Sequence, residues 1–83
     1  MPSVIIYTTK TCPYCVKAKM LFAKKNISYQ EIDASDDKIR EELNQKSGGQ
    51  RTVPQIFIND QHIGGCDALY ALDGKSELDK LLA

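Results

Sequence analysis

An α/β fold, with a mixed four-stranded β-sheet and helices on both faces, is predicted by three features of this 83-residue chain. Short apolar runs alternate with helical segments in the order β-α-β-α-β-β-α, followed by a terminal helix. The first three elements form a βαβ unit, whose strands run parallel. The last two runs flank Asn59-Asp60, the two-residue signature of a tight hairpin, so strands three and four run antiparallel.

Val4 to Tyr7 is β-branched and aromatic and reads as the first strand. Residues 13 to 25 read as the first helix, with Pro13 at its first position and Asn26 as a left-handed cap. Cys15, Ala18, Leu21 and Phe22 share its core-facing stripe, and Val16 and Met20 lie on a second flank that either meets another element or stays partly exposed. Residues 28 to 32 alternate weakly and read as strand two. Ser35 or Asp36 caps a second, peripheral helix running to about Lys46, whose stripe holds only Ile39 and Leu43. Ser47-Gly48-Gly49-Gln50 breaks it. Gln55 to Ile58 and Gln61 to Ile63 are the hairpin strands. Gly64-Gly65 leads into a helix from about Cys66 to Asp73, and a last helix starts at Ser76 with Leu78, Leu81 and Leu82 facing the core.

A chain of this length is expected to form one domain over residues 1–83 with one modest core. Eleven basic and eleven acidic residues cancel, and no basic tract of the kind that binds nucleic acid or an anionic membrane is present. The apolar run at residues 4–7 is too short for a signal-peptide core or a membrane span. Three cysteines do not make a disulfide framework, and one Cys-x-x-C with an outlying thiol suits a reducing compartment, so a cytoplasmic protein is expected.

The chemistry concentrates in Cys12-Pro13-Tyr14-Cys15, at the join of the first strand and helix. Cys12 is placed at a helix start, where free N–H groups and the positive end of the dipole favour thiolate, so it is the expected nucleophile. Cys15 returns one turn later within disulfide reach, on the core-facing stripe, and should be shielded and more fully protonated. An exposed acidic thiol followed by a covered one suits attack and then resolution through a mixed disulfide. A Cys-x-x-C pair is also half of a zinc site, for which Cys66 and His62 could complete the set. Zinc ribbons usually hold such pairs in tight loops, whereas this one opens a helix, so redox chemistry is the preferred reading. His62 reads otherwise as a surface residue, and Cys66 as a small buried hydrophobe or a regulatory thiol.

Three motifs, Cys12-Pro13-Tyr14-Cys15, Arg51-Thr52-Val53-Pro54 and Gly64-Gly65-Cys66-Asp67, match a known family in residue type, order and spacing. On them the chain resembles the glutaredoxins, most closely the small dithiol bacterial glutaredoxin 3 type, over nearly its whole length. The resemblance implies a thioredoxin-like fold and a glutathione-dependent thiol–disulfide oxidoreductase that reduces protein disulfides and protein–glutathione mixed disulfides. It further implies a redox-active Cys12–Cys15 disulfide, glutathione as co-substrate with no bound cofactor or metal, and electrons drawn from NADPH through glutathione reductase. That is electron transport serving cell redox homeostasis, by a monomer whose partners are glutathione and oxidised proteins rather than nucleic acid or membrane.

Each motif has a physical reason to serve glutathione. A cis Val53-Pro54 bond would present the Val53 backbone to an extended peptide, although propensity alone favours trans and only the resemblance reverses that. Gly64-Gly65 permits close approach of a ligand, the helix starting at Cys66 offers N–H groups to a carboxylate, and Asp67 can pair with an ammonium. Equally, Gly-Gly closes a turn and Asp67 favours its helix start. The resemblance assigns Gly65, Cys66 and Asp67 to the γ-glutamyl end and Thr52 and Val53 to the middle, with Pro54 beside them. It places an exposed Tyr14 ring beside the thiols; the alternative puts Tyr14 on top of the core-facing stripe. Arg51, or more loosely Arg40, is the candidate cation for the glycine carboxylate. Many glutaredoxins carry Lys three residues before the nucleophile; here Thr9 stands there and Lys10 only two before, so Lys10 is a further candidate. A rival from another class, a carrier with an iron–sulfur cluster held by Cys12 and glutathione, is opposed by Pro13, Tyr14 and Cys15, since such members usually have Gly-Phe-Ser after the first cysteine.

Overall fold

A computed structural model describes residues 3–49 and 52–82. The elements are β1 (Val4–Thr8), α1 (Pro13–Lys24), β2 (Gln30–Asp33), α2 (Asp37–Lys46), β3 (Gln55–Ile58), β4 (Gln61–Gly64), α3 (Cys66–Gly74) and α4 (Glu77–Leu82). They build a four-stranded sheet in the order β2-β1-β3-β4, with β1 and β2 parallel and the other pairs antiparallel. The mixed sheet expected from the order of elements is therefore present.

Alternation along β1 and β3 separates two cores, one on each face. Val4, Ile6, Ile56 and Ile58 pack with Ala18, Leu21 and Phe22 of α1, Leu69 of α3, and Leu78 and Leu82 of α4. Tyr7 and Phe57 turn the other way, edge to face at 5.7 Å, and pack with Ala34 and with Leu43 of α2. The first core is the larger, and truncating its fully buried Phe22 to Ala would cost about 3–5 kcal/mol. Because Leu43 is the only fully buried side chain on it, α2 is the peripheral helix.

Local chemistry explains most boundaries. Asn26 takes φ 58° as Ile27 N–H donates to the Phe22 carbonyl and Asn26 N–H to that of Ala23, a Schellman ending for α1. Asp36, not Ser35, caps α2, its carboxylate accepting from Lys38 N–H at 2.7 Å. Asn59 and Asp60 hold φ 51° and 66°, as a tight hairpin turn requires. Two expectations shift. β2 begins at Gln30 rather than Ser28, because Tyr29 turns inward against Phe22, 5.8 Å between centroids, and pairing with β1 runs from Gln30 to Asp33. The last helix begins at Glu77, because Ser76 sits at φ 61°, outside the right-handed helical region. Of its leucines, Leu78 and Leu82 are buried and Leu81 half-buried. Val16 and Met20 are the exposed pair, at 50% and 63%. No helix among the described residues is long and apolar enough to cross a membrane.

Candidate active site

β1 delivers the chain to the top of the sheet, and α1 starts there. Cys12 is the residue before the helix, extended at φ −97° and ψ 111°, with Pro13 at the first helical position. It is half-exposed, and its thiol donates to the Val53 carbonyl at 3.5 Å across 41 residues of sequence. Cys15, one turn on, is fully buried. Burial pushes its thiol up to about 11, and the neighbouring Cys12 adds to the shift, while a Thr9 backbone hydrogen bond and the Lys19 charge oppose it. All three cysteines are free.

Val53-Pro54 is cis. The turn it makes forms one wall of a cleft of about 530 Å³, together with Thr52, and the Val53 carbonyl contacted by Cys12 links that cleft to the thiols. Tyr14 lies on the α1 side, 55% exposed, with the Lys17 ammonium 5.7 Å from its ring centroid. Gly65, Cys66 and Asp67 form the opposite end, at the start of α3. The glycines serve this meeting of segments. Gly64 holds φ 120°, where its absent Cβ would come 3.1 Å from that of Ala68, and a Cβ on Gly65 would meet the Pro54 carbonyl oxygen at 3.3 Å. Cys66 is buried, its thiol pushed up by burial first and then by the Asp67 charge.

The other candidates are placed differently. Lys10 does not line this cleft; it borders a separate cavity with Thr9, Lys19, Glu31 and Asp33. There Thr8 Oγ1 donates to Glu31 at 2.6 Å and Lys19 pairs with Glu31 at 3.0 Å, which together hold the Glu31 carboxyl below its ordinary range. Arg40 directs its Nε to the Ala34 carbonyl at 2.7 Å. Arg51 lies outside the described residues. Among those described, no three His, Cys, Asp or Glu side chains are placed to hold a metal ion, so Cys12, Cys15, Cys66 and His62 do not assemble as a zinc set.

His62 corrects the sequence reading. Rather than a surface residue it is half-buried, its ring 5.1 Å from that of Phe57 and its Nε2 2.6 Å from Gln55 Oε1. Both His62 and Gln55 line the cleft. A signal was available: the Asn59-Asp60 turn sets Ile58 opposite Gln61 and Phe57 opposite His62, which makes Gln55 a same-face diagonal neighbour of His62.

A thioredoxin-like α/β sheet that sets a half-exposed Cys at the start of a helix and a buried Cys one turn later defines a thiol–disulfide oxidoreductase. Residues 4–63 match the family model described as Glutaredoxin. Over 82 residues the chain is 52% identical to glutaredoxin 3 of Escherichia coli (strain K12), covering 99% of each sequence. A buckwheat glutaredoxin solved in complex with glutathione superposes with a TM-score of 0.90 at 34% identity, over 98% of this chain and 76% of that one. The solution structure of a Brucella melitensis glutaredoxin does so with a TM-score of 0.84 at 52% identity, over 96% and 87%. The chain belongs to the glutaredoxin family.

Proposed function

We propose that this protein uses glutathione to reduce protein–glutathione mixed disulfides and protein disulfides. The observation that carries this is the cleft itself, which runs from the Val53 carbonyl beside Cys12 to the start of α3 at Asp67. An extended γ-glutamyl peptide fits its chemistry. The Val53 backbone meets the middle of the peptide, the first N–H groups of α3 meet the α-carboxylate, and Asp67 meets the ammonium. Tyr14 flanks the reacting sulfur, and Arg51 is the cation for the far carboxylate. The buckwheat relative's complex with glutathione supports the assignment.

With a glutathionylated protein, the Cys12 thiolate attacks the glutathione sulfur; the S–S bond breaks and the protein leaves as thiolate. A second glutathione thiolate then attacks the Cys12-bound glutathione, releasing glutathione disulfide and regenerating Cys12. With a protein disulfide, the Cys12 thiolate attacks one sulfur; the protein S–S bond breaks, the other sulfur leaves as the first thiolate, and a mixed disulfide with Cys12 forms. Cys15 loses its proton and attacks Cys12 Sγ, which expels the second protein thiolate and leaves the Cys12–Cys15 disulfide. Two glutathiones return the dithiol, and glutathione reductase with NADPH restores them. We assign this cycle to residues 1–83 acting as one domain and as a monomer in the cytoplasm, with no resident cofactor.

The test couples turnover of a small glutathione mixed disulfide to NADPH consumption through glutathione reductase, alongside a calorimetric titration with glutathione. Saturable turnover dependent on glutathione is expected. Activity with dithiothreitol but none with glutathione would overturn the proposal, as would stoichiometric iron or zinc retained through Cys12 after anaerobic purification.

A further inference from the structure

Gln55 opens β3 as a polar side chain in an apolar strand, and it is only 1% exposed. A carboxamide buried that deeply needs partners for both its oxygen and its nitrogen. It has them: Nε2 donates to Thr52 Oγ1 at 3.1 Å, and Oε1 lies 2.6 Å from His62 Nε2. A carboxamide oxygen only accepts, so in this arrangement the hydrogen resides on His62 Nε2. The hydrogen bonds then run one way, from the imidazole through the carboxamide to the threonine oxygen, and each bond polarises the next. Thr52 Oγ1 accepts from behind, which leaves its own hydrogen to donate. Thr52 is exposed and lines the cleft. The His62 ring itself packs against that of Phe57, tilted by 39° with centroids 5.1 Å apart.

Resting on the glutathione assignment above, we propose that His62 and Gln55 are positioning residues for the peptide ligand. Their hydrogen-bond chain orients the Thr52 hydroxyl as a donor to an oxygen in the middle of bound glutathione. The ligand thereby senses a side chain on β4 through two others, without touching it.

The experiment compares His62→Phe, which keeps an aromatic ring on Phe57 but donates nothing, with His62→Gln, whose amide can still donate to Gln55. Each is measured alone and in a Thr52→Val background. Readouts are KM for glutathione and kcat at saturating glutathione, with the melting temperature and the rate of Cys12 alkylation by a small reagent. His62→Phe should raise KM about fivefold, the effect of one net hydrogen bond, with kcat unchanged. His62→Gln should stay near wild type, and His62→Phe should add nothing once Thr52 is Val. An unchanged KM in His62→Phe, an equal defect in His62→Gln, or a full additional defect in the Thr52→Val background would each overturn the inference. A wild-type protein that shows no glutathione-dependent turnover would instead overturn the assignment on which it rests.

Discussion

The cleft lined by Asp67 and the cavity lined by Glu31 hold polar groups of similar kind in opposite arrangements. In the cavity beside Lys10, Thr8 and Lys19 both converge on Glu31, and Asp33 accepts the Ser35 N–H at 2.9 Å, so these groups are used on one another. In the cleft, Thr52 accepts from Gln55 and the Val53 carbonyl from Cys12, yet both still border open space, and Asp67 borders it at the start of α3. A carboxylate tied to an ammonium and a hydroxyl contributes to scaffold and offers little to a ligand. One at a helix start beside a cleft has its charge available. That contrast, rather than the number of charges, distinguishes the cleft proposed to take glutathione.

The same contrast divides the thiols, and substituting them should have the largest effect. Cys12→Ser should bring both glutathione-dependent activities to background, whereas Cys15→Ser should keep removal of glutathione from protein thiols and lose reduction of protein disulfides. Loss of the first activity in the Cys15 variant would reverse the two roles.

Burial of Cys15 has a consequence for alkaline stability. Its folded pKa, about 11, stands above the ordinary 9.0, so the unfolded chain ionises first as pH rises. The stabilisation is complete below about pH 9 and is lost progressively up to about 11, with a slope reaching about 1.4 kcal/mol per pH unit for one proton. Urea midpoints at pH 8 and pH 10 should separate more for the reduced wild type than for Cys15→Ala. An equal separation would mean that the thiol ionises as readily folded as unfolded.

In the cleft, Asp67→Lys reverses the charge that the proposed function offers to the ammonium of glutathione. A partly exposed contact of this kind is worth about 1–2 kcal/mol, so KM for glutathione should rise from several-fold to about tenfold. The melting temperature and the Cys12 alkylation rate should hold if the effect lies in the ligand and not in the start of α3. A steady melt with an unmoved KM would leave Asp67 as a helix-start residue only.

In the cavity beside Lys10 the matching change should be the smallest. The Lys19 and Glu31 side chains are 30% and 41% exposed, so Lys19→Gln should cost no more than about 0.5 kcal/mol of stability, less at high salt. Neither activity should change by more than about twofold. A tenfold loss of protein-disulfide reduction alone would show that the Lys19–Glu31 pair takes part in resolution by Cys15.

Much of this molecule was legible in the chain because it depends on neighbours in sequence. Helix and strand periods, the left-handed Asn26, the Asn59-Asp60 turn and the two thiols one turn apart are all set within a few residues. The core assignment followed from the same periods, since Cys15, Ala18, Leu21 and Phe22 can share only one stripe of α1. Only the tertiary structure decided which distant groups meet. Antiparallel pairing of β1 with β3 brings Val53 to Cys12, and no spacing within either segment encodes that contact. The register shift between Ile56 and Phe57 puts Gly64 opposite Ile56, with Gly65 following at the start of α3 against the Pro54 carbonyl. Lys10, whose distance in sequence from Cys12 departs from the family pattern, borders the cavity that holds Asp33 and not the cleft lined by Asp67, and its number in the chain does not say which of the two it joins. Sequence patterns report which face of an element is apolar; which polar groups share a cleft depends on how those faces are stacked, and that is a property of the assembled sheet.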